Sequence, residues 1–349
     1  MRRLPIYFLI DISESMVGEP ILEVEKGIAT IIQSLKADPT AIETVWTSII
    51  VFAGKAKTLV PLHEIVDFYP PRFPVGSGTS LGQGLKHLMS ELDNNIVATS
   101  AEQKGDWKPI VFLFTDGVPT DDPQEAIREW EKRWKNRLNL VAVGFGDNAD
   151  MAVLHNLTSN VLHFSNTDAT AYKEFFKWVT DSIQTSSTRI EESATGMELA
   201  ETASGAISKI DLSKVKEPLG GVDSNFVVFT AMCQNTHSPY LMKYRKETKE
   251  FSGIGLDVGS FRLVGAFPLD KSYFELSSDV VTNSRINTNS LSGIPACPCC
   301  GNQHAFAMCE CGKLLCVGNE KTSVCPWCKQ EGQYGASDES GMSVTRAQG

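Results

Sequence analysis

Two apolar runs in the first third of the chain end close to acidic residues. Ile6–Ile10 leads directly into Asp11. Ile110–Phe114 ends two residues before Asp116. Short apolar runs of this kind predict buried strands. In an open α/β sheet, ligand-binding groups collect beyond the carboxyl ends of the strands, where the strand order reverses. We therefore expect the two acidic side chains to meet at one edge of a parallel sheet.

The predicted site contains five oxygen-bearing residues from three segments of the chain. They are Asp11, Ser13 and Ser15 in Asp-Ile-Ser-Glu-Ser, Thr79 in Gly-Thr-Ser-Leu-Gly, and Asp116 in Phe-Thr-Asp-Gly. Hydroxyls and carboxylates favour a hard cation such as Mg²⁺ over Zn²⁺. The pattern resembles the metal-ion-dependent adhesion site of von Willebrand factor A domains. The resemblance implies a site for Mg²⁺, Mn²⁺ or Ca²⁺ that leaves the ion open to an acidic group of a partner.

Two other interpretations of these residues predict no adhesion site. Aspartate and serine commonly cap helices, but capping does not account for Thr79 and Asp116 in matching positions. Residues 78–82 fit the Gly-x-Ser-x-Gly pattern of hydrolases. In hydrolases, the turn that carries this pattern directly follows a strand. Here a loop rich in proline and glycine precedes the pattern. We therefore prefer the metal site, in which we expect Glu14 to face solvent.

Strand and helix patterns alternate over the amino-terminal half of the chain. This alternation predicts an α/β fold, a Rossmann-like doubly wound sheet with helices on both faces. The predicted strands are Ile6–Asp11, Thr47–Phe52, Ile110–Thr115, Leu138–Val143 and Val161–Phe164. The predicted helices are Pro20–Lys36, Leu81–Leu92, Pro123–Trp134, Met151–Asn156 and Ala169–Ile183.

Changes in composition divide the chain into four segments. Residues 1–186 are the predicted A domain, and residues 187–222, rich in serine, threonine, alanine and glutamate, are a predicted linker. Residues 223–333 combine short alternating strands with cysteines, which predicts a small β-rich zinc-binding domain. Residues 334–349 are rich in glycine and serine, and we expect them to be a disordered tail.

Eight of the nine cysteines lie between positions 297 and 328. Two Cys-Pro-x-Cys turns predict one closed zinc site of four thiolates, and its ligands are Cys297, Cys300, Cys325 and Cys328. A weaker second site would use His304, Cys309, Cys311 and Cys316. Alternatively, the thiols of Cys309, Cys311 and Cys316 are buried and bind no metal. We therefore expect one or two zinc ions. We expect Cys233 to be a core residue and Cys299 to be free.

Composition excludes several classes of partner. A net charge of −10 argues against nucleic acid, because phosphate binding needs clustered lysine and arginine. No apolar run approaches the ~20 residues that span a bilayer. Asp11 interrupts the apolar segment near the start, which argues against a signal peptide. The confined cysteines are unlike a secreted disulfide framework, so we expect a cytoplasmic protein.

The order of domains and the cysteine spacing resemble the TerY family of bacterial proteins linked to tellurite and stress resistance. The resembling residues are Pro239-Tyr240-Leu241-x-x-Tyr244, Cys-Pro-x-Cys-Gly-Asn, Ala305-Phe306-Ala307-x-Cys309-x-Cys311-Gly312, Cys316 and Cys325-Pro326-Trp327-Cys328. The resemblance implies a non-enzymatic adaptor that acts beside a Ser/Thr protein kinase and a metal-dependent protein phosphatase. If so, serines and threonines between Ser186 and Ser213 are candidate phosphorylation sites.

Two alternative functions stay open at this point. Von Willebrand factor A domains also serve as accessory subunits of ATP-driven metal-insertion or remodelling machines. The third hypothesis, a metal-dependent hydrolase, requires that the purified chain be active alone.

Overall fold

The computed structural model describes residues 2–145, 149–164, 169–188, 207–209, 226–247, 260–279, 284–318, 322–335 and 341–347. The chain divides into two compact units. The first contains residues 1–73 and 79–221, and the second contains residues 74–78 and 222–349. None of the described helices combines the length and apolar character needed to cross a bilayer.

The first unit is built on a seven-stranded sheet in the order β3-β2-β1-β4-β5-β6-β7. Its strands are β1 Leu4–Asp11, β2 Val45–Phe52, β3 Ala56–Glu64, β4 Ile110–Thr115, β5 Asn139–Phe145, β6 Val161–Phe164 and β7 Ile207–Lys209. Its helices are α1 Glu19–Lys36, α2 Pro39–Thr44, α3 Leu81–Asn95, α4 Gln124–Arg133, α5 Met151–Leu157 and α6 Ala169–Thr188. The predicted doubly wound α/β fold is confirmed.

The strand order reverses at β1, in the middle of the sheet. β1 pairs in parallel with β2 on one side and with β4 on the other, so that Ile10 lies opposite Phe114. β3 and β7 are antiparallel edge strands that the sequence analysis did not predict. The carboxyl ends of β1 and β4 therefore lie side by side at the topological switch point, where ligands collect in such sheets.

Apolar side chains on both faces of the central strands explain why the sheet is buried. Tyr7 and Leu9 pack in the core on one face of β1, whereas Phe8 stacks on Phe112 and Phe114. Alternate residues of a strand point to opposite faces, so both faces need a helical cover. The resulting rigid sheet holds the ends of β1 and β4 in place.

The second unit has a six-stranded sheet in the order β12-β10-β9-β8-β14-β13. Its strands and one short helix are β8 Phe226–Met232, β9 Pro239–Glu247, β10 Ser260–Pro268, α7 Ser272–Leu276, β11 Arg285–Asn287, β12 Leu291–Ser292, β13 His304–Met308, β14 Leu314–Val317, β15 Thr322–Val324, β16 Glu331–Gln333 and β17 Ser343–Thr345. β11 pairs with β17, and β15 pairs with β16. The β-rich character predicted for this region is confirmed.

The end of the chain differs from the prediction of a disordered tail at 334–349. Strand β17 is antiparallel to β11, and Val344 is buried in the core of the second unit. The Arg346 guanidinium donates a hydrogen bond to the carbonyl of Phe226. The buried valine and these hydrogen bonds hold in place a segment that its composition alone did not predict to be structured. Most of the predicted linker at 187–222 lies outside the described residues, although Ile207–Lys209 adds an edge strand to the first sheet.

Candidate metal centres

Asp11 is the last residue of β1, and its side chain is fully buried. One carboxylate oxygen, Oδ1, accepts a hydrogen bond of 2.9 Å from the backbone N–H of Ser13. The other, Oδ2, accepts one of 2.6 Å from the Thr115 hydroxyl at the end of β4. The bond from Thr115 ties the ends of β1 and β4 together, and both bonds orient the carboxylate.

The two serines follow Asp11 around a single 3₁₀ turn, Glu14–Met16. The hydroxyl oxygens of Ser13 and Ser15 lie 2.9 Å apart, and Ser15 donates a hydrogen bond of 2.7 Å to Oδ1 of Asp116. Both serines are buried. A continuous series of hydrogen bonds therefore links Asp11, Ser13, Ser15 and Asp116 at the switch point, where the sequence pattern predicted that they meet.

Glu14, between the two serines, is buried as well. This position contradicts the expectation that it faces solvent. The physical reason is the 3₁₀ turn, which packs all three of its residues, Glu14, Ser15 and Met16, into the protein. An extended segment would have placed alternate residues on opposite sides.

Thr79 reaches the same place from the loop that precedes α3, and it is buried. A Cβ atom placed on Gly117 would lie 3.3 Å from Thr79 Oγ1 and 3.8 Å from Ser15 Oγ. The missing side chain at 117 therefore leaves space beside both hydroxyls. The structure brings all five predicted oxygen-bearing residues together, and a hard cation fits this donor set.

The electrostatics of the site favour a cation. Burial raises the pKa of Asp11 to about 6, although the hydrogen bonds from Thr115 and Ser13 act in the opposite direction. An ionised carboxylate in a buried position is costly without a positive charge nearby. A divalent ion beside Asp11 would supply that charge.

The cysteines of the second unit form two separate groups of four. The sulfur atoms within each group all lie within 4.8 Å of one another, and the groups are Cys233, Cys297, Cys300 and Cys316, here called cluster A, and Cys309, Cys311, Cys325 and Cys328, here called cluster B. Four thiolates at the zinc–sulfur bond length of ~2.3 Å stand about 3.8 Å apart in a tetrahedron.

The observed sulfur–sulfur distances agree with that tetrahedron. In cluster A, Cys316 lies 3.7 Å from Cys300 and 3.9 Å from Cys233. In cluster B, the Cys309–Cys328 and Cys311–Cys325 distances are 3.7 Å and 3.9 Å. A disulfide would bring two sulfurs to about 2.05 Å. Both clusters therefore have the spacing of a closed four-thiolate metal site.

This arrangement corrects the predicted grouping of the ligands. The two Cys-Pro-x-Cys turns do not share one ion site: Cys297 and Cys300 belong to cluster A, whereas Cys325 and Cys328 belong to cluster B. Strand β14 explains the separation. Its residues Leu314 and Cys316 pack in one core, and Leu315 and Val317 pack in another that contains Cys309 and Cys325. Alternation along β14 thus places the clusters on opposite faces of the strand.

Cys233 is the ligand candidate that sequence reasoning missed. It was expected to be a core residue, and it is fully buried, but it also lies in cluster A. Strand β8 ends at Met232, which pairs with Leu315 of β14, so the next residue lies beside Cys316. A partner 83 positions away gives no local spacing signal.

His304 and Cys299 lie outside both clusters. His304 is exposed on β13 and was wrongly placed in the second predicted site. Cys299 is half-buried, and its sulfur lies 3.9 Å from the carbonyl oxygen of Pro239. Neither group of cysteines found among the described residues includes Cys299. This is consistent with the expectation that Cys299 is not a zinc ligand.

Backbone and side-chain N–H groups surround the sulfurs of cluster A. The N–H of Gln234 lies 3.3 Å from the sulfur of Cys316, and the Asn302 amide nitrogen lies 3.6 Å from the same atom. The N–H of Thr236 lies 3.4 Å from the sulfur of Cys233. Such donors orient thiolate ligands and offset their negative charge. They make cluster A suited to holding a metal through thiolates.

Two family models together match most of the chain. The von Willebrand factor type A domain matches residues 6–178. The TerY-C metal binding domain matches residues 223–349, which contain all nine cysteines. No curated protein matches the chain.

Several solved structures are similar to this chain at low sequence identity. Proximal thread matrix protein 1 from the mussel byssus is 22% identical over 52% of this chain and 48% of its own, with a TM-score of 0.39. The pilus adhesin SpaC from Lactobacillus rhamnosus GG is 16% identical over 52% and 31%, with a TM-score of 0.42. VWA2, the ArnB paralog from Sulfolobus acidocaldarius, is 12% identical over 78% and 65%, with a TM-score of 0.39. The chain thus spans less than two thirds of each of these proteins.

The two family matches follow one another in the order predicted from the adhesion-site pattern and the cysteine spacing. The chain therefore combines a von Willebrand factor type A domain with a TerY-C metal binding domain, which is the architecture expected from its resemblance to the TerY family.

Proposed function

We propose that this protein is a non-enzymatic adaptor that captures an acidic group of a partner protein through a divalent cation. The observation that carries the proposal is the hydrogen-bonded set of Asp11, Ser13, Ser15 and Asp116 at the switch point of the sheet. Two carboxylates and three neutral hydroxyls, counting Thr79, can ligate a hard cation and leave one position of an octahedral ion open. An incoming carboxylate oxygen, itself a hard ligand, can fill that position.

The residues of the site have distinct parts in this proposal. Ser13, Ser15 and Thr79 would contact the ion directly, and Asp11 and Asp116 would contact it directly or through water. When bound, Mg²⁺, Mn²⁺ or Ca²⁺ supplies positive charge and an open coordination position. Thr115 holds Asp11 in place from the end of β4. Without an ion, a partner carboxylate would meet Asp11 and Asp116 as like charges.

Clusters A and B are proposed as two structural zinc sites. Each offers four thiolates, so neither leaves a position for a reacting water. The second unit has a small sheet and two two-stranded ribbons. Metal binding would therefore supply much of its folding free energy.

The adhesion site can be tested with the full chain and its zinc retained. Tagged protein and an Asp11→Ala variant are used to capture partners from the source cell, in buffer cleared of divalent ions by a resin and then with added Mg²⁺ or Mn²⁺. We expect capture by the unaltered protein with added ion only, and none by the variant. Asp67→Ala, an exposed aspartate on a separate 3₁₀ turn, is the matched control. Equal capture in all mixtures would contradict the proposal.

The finer proposal is that the partners are a Ser/Thr protein kinase and a metal-dependent protein phosphatase, in a cytoplasmic module linked to tellurite or stress resistance. The support is the family resemblance of the whole architecture. The candidate phosphorylation region, 186–213, lies mostly outside the described residues. Incubation with the kinase should yield phosphopeptides from this region, and the phosphatase should remove them. Capture of a ring-forming ATPase instead would favour the accessory-subunit hypothesis.

A further inference from the structure

Thr120 holds Thr79 by both of its backbone groups. The N–H of Thr79 donates a hydrogen bond of 2.9 Å to the hydroxyl of Thr120. The N–H of Thr120 donates one of 2.9 Å to the carbonyl of Thr79. Thr120 lies four residues after Asp116, so the loop that carries one candidate ligand fixes the backbone of another.

The residue after Thr120 holds the start of α3, which follows Thr79. Ser80 is the N-cap position of α3 but makes no capping hydrogen bond with its side chain. Asp121 acts in its place: its Oδ2 accepts a bond of 3.3 Å from the N–H of Gln83. A Cβ atom on Gly82 would lie 2.8 Å from the same oxygen, so the loop and the helix are in close contact.

Thr79 therefore has little freedom. Its N–H and carbonyl are both bonded to Thr120, and the helix that follows is held by Asp121. A threonine whose backbone is fixed can move its hydroxyl only by rotation about χ1, and a β-branched side chain has few such rotamers. The distance between the hydroxyl of Thr79 and the ligands after β1 and β4 is thus set by the 116–121 loop.

We propose that Thr120 is a positioning residue of the adhesion site and sets its preference for Mg²⁺ over Ca²⁺. This inference rests on the proposed function, because it assumes that Thr79 ligates the ion. Mg²⁺ demands near-octahedral geometry with bonds of ~2.0–2.1 Å, whereas Ca²⁺ accepts longer bonds of ~2.3–2.6 Å and variable geometry. A loosened Thr79 therefore penalises Mg²⁺ more than Ca²⁺.

The test uses Thr120→Val, which keeps the shape of the side chain and the backbone N–H but removes the hydroxyl acceptor. Calorimetry of the full chain, with zinc retained, measures the Kd for Mg²⁺ and for Ca²⁺. We expect the Mg²⁺ Kd to rise about 10-fold, the effect of one lost hydrogen bond. We expect the Ca²⁺ Kd to change by no more than about 3-fold. Thr120→Ser, which keeps the hydroxyl, should restore both values.

The controls separate this inference from the proposed function. Thr79→Ala should weaken both ions, because it removes the ligand itself. If Thr120→Val binds Mg²⁺ like the unaltered protein while Thr79→Ala does not, the positioning role is wrong and the adhesion site stands. An equal loss for both ions would also overturn the inference. If the unaltered protein binds none of Mg²⁺, Ca²⁺ and Mn²⁺, both proposals fail. Thr120→Ala, which adds no methyl group near the Thr79 N–H, replaces Thr120→Val if the valine variant does not fold.

Discussion

Asp11 combines complete burial with a charge that the proposed function requires. Burial raises its pKa to about 6 from an ordinary value of 3.8. Because the folded pKa is raised, the stabilising contribution is present below about pH 4 and is lost as the pH rises through about 6. At neutral pH the ion-free protein therefore contains a buried carboxylate that opposes folding, and a divalent cation offsets this cost.

The first prediction follows from the cost of burying the ionised Asp11 carboxylate at neutral pH. The increase in Tm that Mg²⁺ produces should be larger at pH 7.5 than at pH 5, because protons compete with the ion for Asp11 at the lower pH. Thermal unfolding at both pH values, with and without Mg²⁺ in resin-treated buffer, measures the difference. Asp11→Asn is the control, since it removes the titration, and its response to Mg²⁺ should be small at both pH values. An equal gain in the unaltered protein would argue against a role for Asp11.

At the scale of elements, helices α1 and α6 approach closely at Gly27. A Cβ atom there would lie only 2.1 Å from the ring of Phe176, which is itself buried. That ring lies edge-on to Phe114 of β4. The glycine thus allows α6 to pack against α1 and leaves Phe176 in contact with the sheet.

Gly27→Ala should destabilise the first unit. We expect a loss of about 1–3 kcal/mol in the free energy of unfolding, the usual cost of overpacking a core. Denaturant unfolding followed by far-UV circular dichroism measures it. Gln33→Ala, at an exposed position of the same helix, should change stability little. A Gly27→Ala variant at least as stable as the unaltered protein would mean that Phe176 moves without cost.

Strand β14 separates the two cysteine clusters, which leads to a prediction about zinc content. Cys300→Ser should remove the ion of cluster A, and Cys328→Ser should remove that of cluster B. Each variant should therefore contain one zinc ion where the unaltered chain contains two, and the double variant should contain none. If the four cysteines of the two Cys-Pro-x-Cys turns bound one shared ion, the double variant would lose no more zinc than either single variant. Elemental analysis of freshly purified protein distinguishes the two arrangements.

At the scale of the whole molecule, strand β17 contributes to the core of the second unit. Val344 of β17 is almost completely buried and packs in the same core as cluster A. Val344→Ala should destabilise this unit by roughly 2 kcal/mol through the cavity it leaves. Ser343→Ala, at the exposed neighbouring position, should have little effect. Calorimetric unfolding of both variants checks this, and a Val344→Ala variant with an unchanged transition would contradict the packing role of β17.

Much of the fold and most of the site could be predicted from local patterns in the chain. The apolar runs that become β1 and β4, the serines two residues apart after Asp11, and the paired Cys-Pro-x-Cys turns are short-range features. Their spacing reflects the geometry of a strand end or of a metal-binding turn directly. For the same reason, local patterns alone indicate the order of the two domains.

Only the tertiary structure decided which of these features meet. Cys233 joins cluster A because β8 and β14 pair in parallel. The two Cys-Pro-x-Cys turns belong to different clusters because β14 presents alternate residues to opposite faces. Thr120 holds Thr79 because two loops from different strands converge at the switch point. Such contacts depend on strand order and register, which are determined by the packing of the whole core. Residue spacing therefore identified the candidate ligand types, whereas long-range strand pairing determined which candidates lie together.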